Sequence, residues 1–232
     1  SSVGFGGGST YLALLLIWGV PYFIFPVIAL FCNIIVVSGN CFNYIRAGNL
    51  NSRLLIPYLI GSIPLAYIGG SLPIEKNFFE ILLFLVLTTA GILLLFNFRS
   101  YKDKETSYNK VPIAFSIFIG GILGFISGVV GIGGGIFLSP ILFLIRAGKA
   151  KHIVTAASLF ILINSISGII GQLNKNDVLA EVSNFWYLFA AVIIGGQVGN
   201  FLNLKIFSAK ILAFVTACLV ILVAIRMGAR FF

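Results

Sequence analysis

Two glycine clusters are the residues of this chain whose spacing is best suited to chemistry. They read Gly4-Phe5-Gly6-Gly7-Gly8 and Gly131-Ile132-Gly133-Gly134-Gly135, and a short apolar stretch follows each one. Glycine runs interrupt helices, so a new helix should begin after each cluster. The first N–H groups of such a helix are unpaired and lie at the positive end of its dipole, which suits a small anion. We therefore expect backbone donors to a small anion at Gly6, Gly7, Gly8, Gly133, Gly134 and Gly135.

Hydroxyl and amide side chains near the clusters would complete such a site. Ser9 and Thr10 follow the first cluster, and Ser139 follows the second. Asn33 and Asn164 lie at similar depth in two apolar segments, where an amide is costly in lipid and should face the protein interior. The simpler alternatives are that the glycines only allow close helix packing and that the amides only form interhelical hydrogen bonds.

The composition of the chain indicates a membrane protein. It is 59% hydrophobic and only 9% charged, whereas soluble domains carry about 25% charged residues. Apolar stretches near the length of about 20 residues that crosses a bilayer recur along the chain. The long stretches are 27–45, 54–72, 78–98, 153–171, 185–204 and 210–228, and shorter ones at 9–19, 111–128 and 136–145 flank the glycine clusters.

The chain carries an internal duplication. Val3-Gly4-Phe5-Gly6-Gly7-Gly8 recurs as Val130-Gly131-Ile132-Gly133-Gly134-Gly135, and further identities such as Ser38-Gly39 with Ser167-Gly168 keep nearly the same offset. We predict a first repeat at 1–98, a cytoplasmic linker at 99–110 and a second repeat at 111–232. The segment 111–128 has no counterpart after Ser1, which predicts a helix missing from the start of the first repeat.

The distribution of basic residues favours one topology. If each glycine cluster is the tip of a re-entrant hairpin, most Lys and Arg residues fall in loops on one side, as expected for the cytoplasmic side. A single crossing of 111–145 spreads them more evenly. The expected fold is therefore an all-α polytopic protein of two homologous halves, as inverted repeats. Each half has a broken or re-entrant helix pair plus three transmembrane helices, and the protein lies in the cell membrane.

Several other functions are disfavoured by the sequence. The net charge of +9 comes from loops between apolar spans and so does not predict nucleic-acid binding. No carboxylate lies deep in a predicted span, Glu80 being near the start of 78–98, and the Cys and His residues show no metal-ligand spacing. We expect no enzyme activity, no metal and no cofactor. Gly131, Gly133 and Gly134 fit part of a dinucleotide fingerprint but lack its acidic residue and βαβ context.

The second cluster also resembles a family signature. Gly124-Phe125-Ile126-Ser127-Gly128-Val129-Val130-Gly131-Ile132-Gly133-Gly134-Gly135, with Pro140 and Leu142 after it, resembles the sulfite exporter TauE/SafE permeases. The first copy departs from the signature, since Leu12 and Ala13 stand at the positions of Ser139 and Pro140. The resemblance implies about eight membrane segments and the transport of sulfite or small organosulfonates.

The expected function is a secondary transporter of a small anion, with alternating access between the repeats. Its partners would be the anion and the lipid bilayer, and the oligomeric state is open. The alternative is a passive anion channel that uses the same site.

Overall fold

The computed structural model describes residues 7–96, 109, 111–175, 182, 185–205 and 209–231, and this part of the chain is helical without a strand. A 3₁₀ turn at Tyr22–Ile24 precedes the second α-helix. The helices are α1 Gly8–Ile17, α2 Phe25–Arg46, α3 Ser52–Ser71, α4 Lys76–Phe96, α5 Ile113–Val130, α6 Gly135–Leu144, α7 Ala150–Gln172, α8 Trp186–Lys205 and α9 Ala209–Phe231. Each apolar stretch predicted from the sequence is a helix. The predicted linker 99–110, apart from Asn109, lies outside the described residues, as does Gly6.

Five of the described helical segments are long and apolar enough to cross a membrane, namely Tyr22–Arg46, Ser52–Ser71, Lys76–Leu93, Ile113–Val130 and Ala150–Gln172. Large apolar side chains point outward, with Phe118 at 66% and Ile225 at 67% exposure, while Asn33 and Asn164 are fully buried. This arrangement of apolar surface and polar interior is the expected one for a protein whose surroundings are lipid. The chain is a multi-pass membrane protein.

Helix α3 is held against α5 by backbone contact. Ser62 faces Gly124, and a methyl group added to Gly124 would lie 2.6 Å from Ser62 Cα. The carbonyls of Tyr58 and Ala66 meet Gly120 and Gly128 one turn to either side, so α3 and α5 run parallel. Gly120 and Gly124 therefore serve close helix packing, whereas Gly195 has no atom of the described residues within 4 Å of its Cβ position.

Helix α7 also runs parallel to α3. The Ser167 hydroxyl donates to the Ile63 carbonyl at 2.7 Å, and Gly171 faces the Tyr67 carbonyl one turn further along both helices. Because α5 and α7 point the same way, α6 between them must return to the end where α5 begins. Asn109 supports this return, since its backbone N–H and its side-chain amide donate to the carbonyls of Arg146 and Ile145, each at 3.1 Å. Helices α5 and α6 are therefore the two arms of a hairpin.

The directions of α2 and α8 follow from pairs of contacts with their neighbours. Leu30 of α2 faces Gly168, and Asn33 lies beside Ser165 across Gly133, so α2 runs antiparallel to α7. The Phe31 and Phe189 rings pack edge to face with their centroids 5.7 Å apart, and Val36 lies 3.8 Å from the Cβ position of Gly196, so α8 runs parallel to α2. We call the end of the bundle formed by residues 46–53 and 145–151 the basic end, because Arg46, Arg53, Arg146, Lys149 and Lys151 lie there.

A pair of alanine substitutions tests the role of close packing. Gly124→Ala should lower the thermal unfolding midpoint in detergent, because overpacking of this kind costs about 1–3 kcal/mol. Gly39→Ala is the matched control, since nothing lies within 4 Å of its Cβ position. The control gains helix propensity without a clash and should be as stable as the native protein or more so. Equal midpoints for the two variants would contradict the packing role.

Candidate functional site

The chain reverses between α5 and α6 through three left-handed glycines. Gly131 ends α5 with φ +87°, and Gly133 and Gly134 follow with φ +82° and +73°. Other residues rarely adopt these angles, which explains the glycines at these positions. We call residues 131–134 the break. It is buried together with the whole of 135–140. Gly135 faces the Ala157 carbonyl, at a distance of 2.9 Å from its Cβ position, about a third of the way along α7.

Helix α1 begins against the same break. A methyl group at Gly8 would lie 2.6 Å from the Ile132 carbonyl oxygen and 2.8 Å from Ile132 Cα. Gly8 is therefore needed for close contact between the two glycine clusters. Gly7 and Gly134 stand at the N-cap positions of α1 and α6, and because glycine has no side chain, neither helix start has a side-chain cap. Two uncapped helix N-termini, each a positive dipole end, thus converge inside the protein.

Helices α2 and α7 supply polar groups to this point. At Gly133 the Cβ position lies 3.1 Å from Asn33 Nδ2 and 3.4 Å from Ser165 Oγ. The Asn33 amide donates to the Gly131 carbonyl at 3.3 Å, which fixes the orientation of the amide. Its Oδ1 faces the other way, is buried and has no partner. Unpaired buried polar atoms are rare in native proteins and indicate a ligand or ordered water.

Hydroxyl groups around the break share this property. Ser139 on α6 and Ser165 on α7 are fully buried, and neither Oγ has a hydrogen-bond partner. Ser127, whose carbonyl accepts the N–H of Gly131 at 2.8 Å, also has an unpartnered Oγ. Each of these hydroxyls can donate a proton to an anion.

Gly7, Ser9, Thr10 and Asn164 were also predicted to belong to the site, and each has different surroundings. Ser9 is buried and Thr10 half-buried in the first turn of α1. The Cβ position of Gly7 is occupied by the Tyr11 ring. Asn164 donates to the Phe160 carbonyl of its own helix at 2.8 Å and leaves its Oδ1 unpartnered. The structure thus brings Gly8, Asn33 and Gly133–Gly135 together, whereas Asn164 bonds to Phe160, whose ring lies 2.8 Å from the Cβ position of Gly134.

Sequence reasoning missed Ser165 and Ser127. Ser165 follows Asn164 directly and lies four residues from Ile161, which contacts Gly133 and Gly135. Helical spacing from Ile161 would have placed it on the inward face. Ser127 stands inside the glycine signature itself. Among the described residues no cluster of three or more His, Cys, Asp or Glu could hold a metal.

The unpartnered hydroxyls predict an uneven response to alanine substitution. Ser165→Ala should leave the unfolding midpoint of the ligand-free protein unchanged or raise it, because it removes a buried hydroxyl that has no partner. Ser167→Ala is the control on the same helix and removes the 2.7 Å bond to Ile63. It should cost about 1 kcal/mol of stability. Thermal unfolding in detergent measures both, and destabilisation by Ser165→Ala alone would show that its hydroxyl is structurally paired.

Comparison with known proteins agrees with this architecture. The family described as "Sulfite exporter TauE/SafE" matches residues 1–227. A curated relative, "Probable membrane transporter protein y4hK" of Sinorhizobium fredii, is 25% identical over 231 residues, covering 98% of this chain and 92% of the relative. No solved structure matches the chain. The chain belongs to the sulfite exporter TauE/SafE family of membrane transporters.

Proposed function

We propose that this protein is a secondary transporter of sulfite or a small organosulfonate, which binds at the break and crosses by alternating access. The observation that carries the proposal is the meeting of two uncapped helix N-termini at Gly8 and Ile132, beside buried polar groups without partners. The description of the family names sulfite, and the relative's name describes a transporter.

The chemistry of the break favours an anion with several oxygens. Backbone N–H groups at the starts of α1 and α6 and the hydroxyls of Ser139 and Ser165 can each donate to an oxygen. The amide oxygens of Asn33 and Asn164 need donors instead. An anion that carries its own proton, as hydrogensulfite does, can satisfy both kinds of group. Gly6, Gly7, Gly8, Ser9 and Thr10 would form the first-repeat wall of this site.

The helix directions support inverted repeats. After the extra helix α5, the order of one short and three long helices in α1–α4 recurs in α6–α9. Helix α6 runs from the break toward the basic end. Helix α1 begins at the break, and the chain after it leads to the start of α2, which lies away from the basic end because α2 ends there at Arg46. Helices α2 and α7 are antiparallel as well. Repeats at 1–98 and 111–232, joined by the linker 99–110, are the basis for the proposed alternating access.

The charge distribution supports an orientation in the cell membrane. The basic end would face the cytoplasm, since Lys and Arg in short loops are retained there. The break then lies within the bilayer toward the face opposite the cytoplasm, since the 18 residues of α5 separate Gly131 from the basic end. The negative interior potential would favour movement of an anion outward.

The burial of the break favours a carrier over a channel. Residues 131–140 are all buried, so the site is closed in this conformation. A carrier needs such a closed state between its two open ones, whereas a conducting channel needs a continuous path.

Sulfite counterflow in proteoliposomes tests the proposal. Gly134 is unsuitable for substitution because its φ of +73° strains any side chain. Ser165→Ala and Ser139→Ala should instead each raise the half-saturating sulfite concentration by about tenfold or more, as expected for a lost bond to a charged group. Ser38→Ala, an exposed serine that bonds only within its own helix, is the matched control and should transport normally.

The same experiment distinguishes the alternatives. Saturable counterflow that weakens in the two variants supports the carrier. Flux that rises linearly with sulfite and shows no counterflow would favour the channel. If neither sulfite nor ethanesulfonate moves with folded native protein, the proposed substrate class is wrong.

A further inference from the structure

A cavity of about 430 Å³ opens at the end of the bundle opposite the basic end. Its lining includes Pro26 of α2, which contacts Gly131, and Val129 of α5, two residues before Gly131. The link is direct, because a methyl group at Gly131 would lie 2.5 Å from Pro26 Cα. The cavity therefore extends as far as Pro26 and Val129. These residues cover the break and separate it from the cavity.

Lys175 lines this cavity and is half-buried. Its ammonium donates to Gln172 Oε1 at 3.0 Å, and Gln172 Nε2 in turn donates to the Gly128 carbonyl at 2.9 Å. The second bond fixes the amide, so its oxygen is turned to the lysine. Two hydrogen bonds in series thus connect Lys175 to Gly128 of α5, three residues before Gly131.

Among the described residues no carboxylate forms an ion pair with the Lys175 ammonium. Its ammonium donates to the neutral Gln172 amide, and the one ion pair within the described part joins Lys76 to Glu80 at 3.9 Å. Glu75 also lines the cavity, but it is exposed at the rim. Burial lowers the pKa of Lys175 to about 8, which leaves it mostly protonated at pH 7. Among the described residues the hydrogen-bond partner of this partly desolvated cation is a neutral amide, which leaves its charge available to attract an anion.

We infer that this cavity is an anion-binding vestibule, in which Lys175 holds a small sulfonate or sulfite before it enters the break or after it leaves. The inference rests on the proposed function and adds a second site to it. It accounts for a half-buried cation that faces a cavity at the end of the protein opposite the basic end. The cavity is large enough for the anion together with several waters, so partial hydration can be kept at this stage.

Thiol labelling tests the vestibule without relying on transport. Ile74 lines the cavity, and Ile74→Cys places a thiol there. Cys218→Ser removes the exposed native thiol, while Cys32 and Cys41 are buried. The labelling rates of an anionic reagent, 2-sulfonatoethyl methanethiosulfonate, and a cationic one, 2-(trimethylammonium)ethyl methanethiosulfonate, report the local potential. The anionic reagent itself carries an ethanesulfonate group, and protein without Ile74→Cys provides the background rate.

The ratio of anionic to cationic labelling should fall by about tenfold in Lys175→Gln, since loss of one nearby charge changes each rate by about threefold in opposite directions. Lys175→Arg keeps the charge and should keep the ratio. Lys76→Gln is the matched control, because it removes one exposed positive charge from the same end without lining the cavity. Millimolar ethanesulfonate should slow labelling in the parent protein and not in Lys175→Gln.

An unchanged ratio in Lys175→Gln, or an equal fall in Lys76→Gln, would overturn the inference. Counterflow by the native protein is measured in parallel and decides the proposed function separately. If the labelling ratio depends on Lys175 but no anion crosses the membrane, the cavity is an anion site and the transporter proposal fails. If anions cross and labelling ignores Lys175, the vestibule is wrong and the transporter stands.

Discussion

The structure depends on keeping four residues of irregular backbone inside an apolar environment. A helix satisfies its own hydrogen bonds, but the break at 131–134 does not, and lipid offers no partners. The protein therefore surrounds the break with other helices. Asn33 donates to the Gly131 carbonyl, the Gly131 N–H bonds to Ser127, and α1 closes against Ile132. The position of α2, α7 and α1 around the α5–α6 hairpin follows from this requirement.

Glycine has two separate roles in this bundle, and each needs a different property. In the break, Gly131, Gly133 and Gly134 adopt left-handed angles that a side chain would strain. In α5, Gly120, Gly124 and Gly128 are ordinary helical residues whose missing side chains admit the backbone of α3. The second role makes the first possible, because tight contact with α3 holds α5 firmly up to the point where the chain reverses.

The polar side chains of α7 fall into two sets, one that forms interhelical hydrogen bonds and one that keeps unpaired atoms in the interior. Ser167 and Gln172 on α7 make interhelical hydrogen bonds and join this helix to α3 and α5. Ser165 and Asn164, on the same helix, keep an acceptor or a hydroxyl unpaired in the buried interior. Leaving such groups unpaired lowers stability, and such a cost is typical of functional sites, in line with the proposed binding site.

The sequence by itself determined the helices, their approximate bounds and the place of the break. These depend on local properties, namely the length of apolar runs and the backbone freedom of glycine, which act within a few residues of each other. The sequence also predicted that Asn33 faces the protein interior, because an amide in an apolar span is unusual whatever surrounds it. The tertiary structure alone decided that Gly8 meets Ile132, that Ser165 joins Asn33 at Gly133, and that Lys175 lines a cavity above the break. These contacts join residues far apart in the chain, and they exist only because backbone contact at the glycines of α3, α5 and α7 fixes how the helices cross.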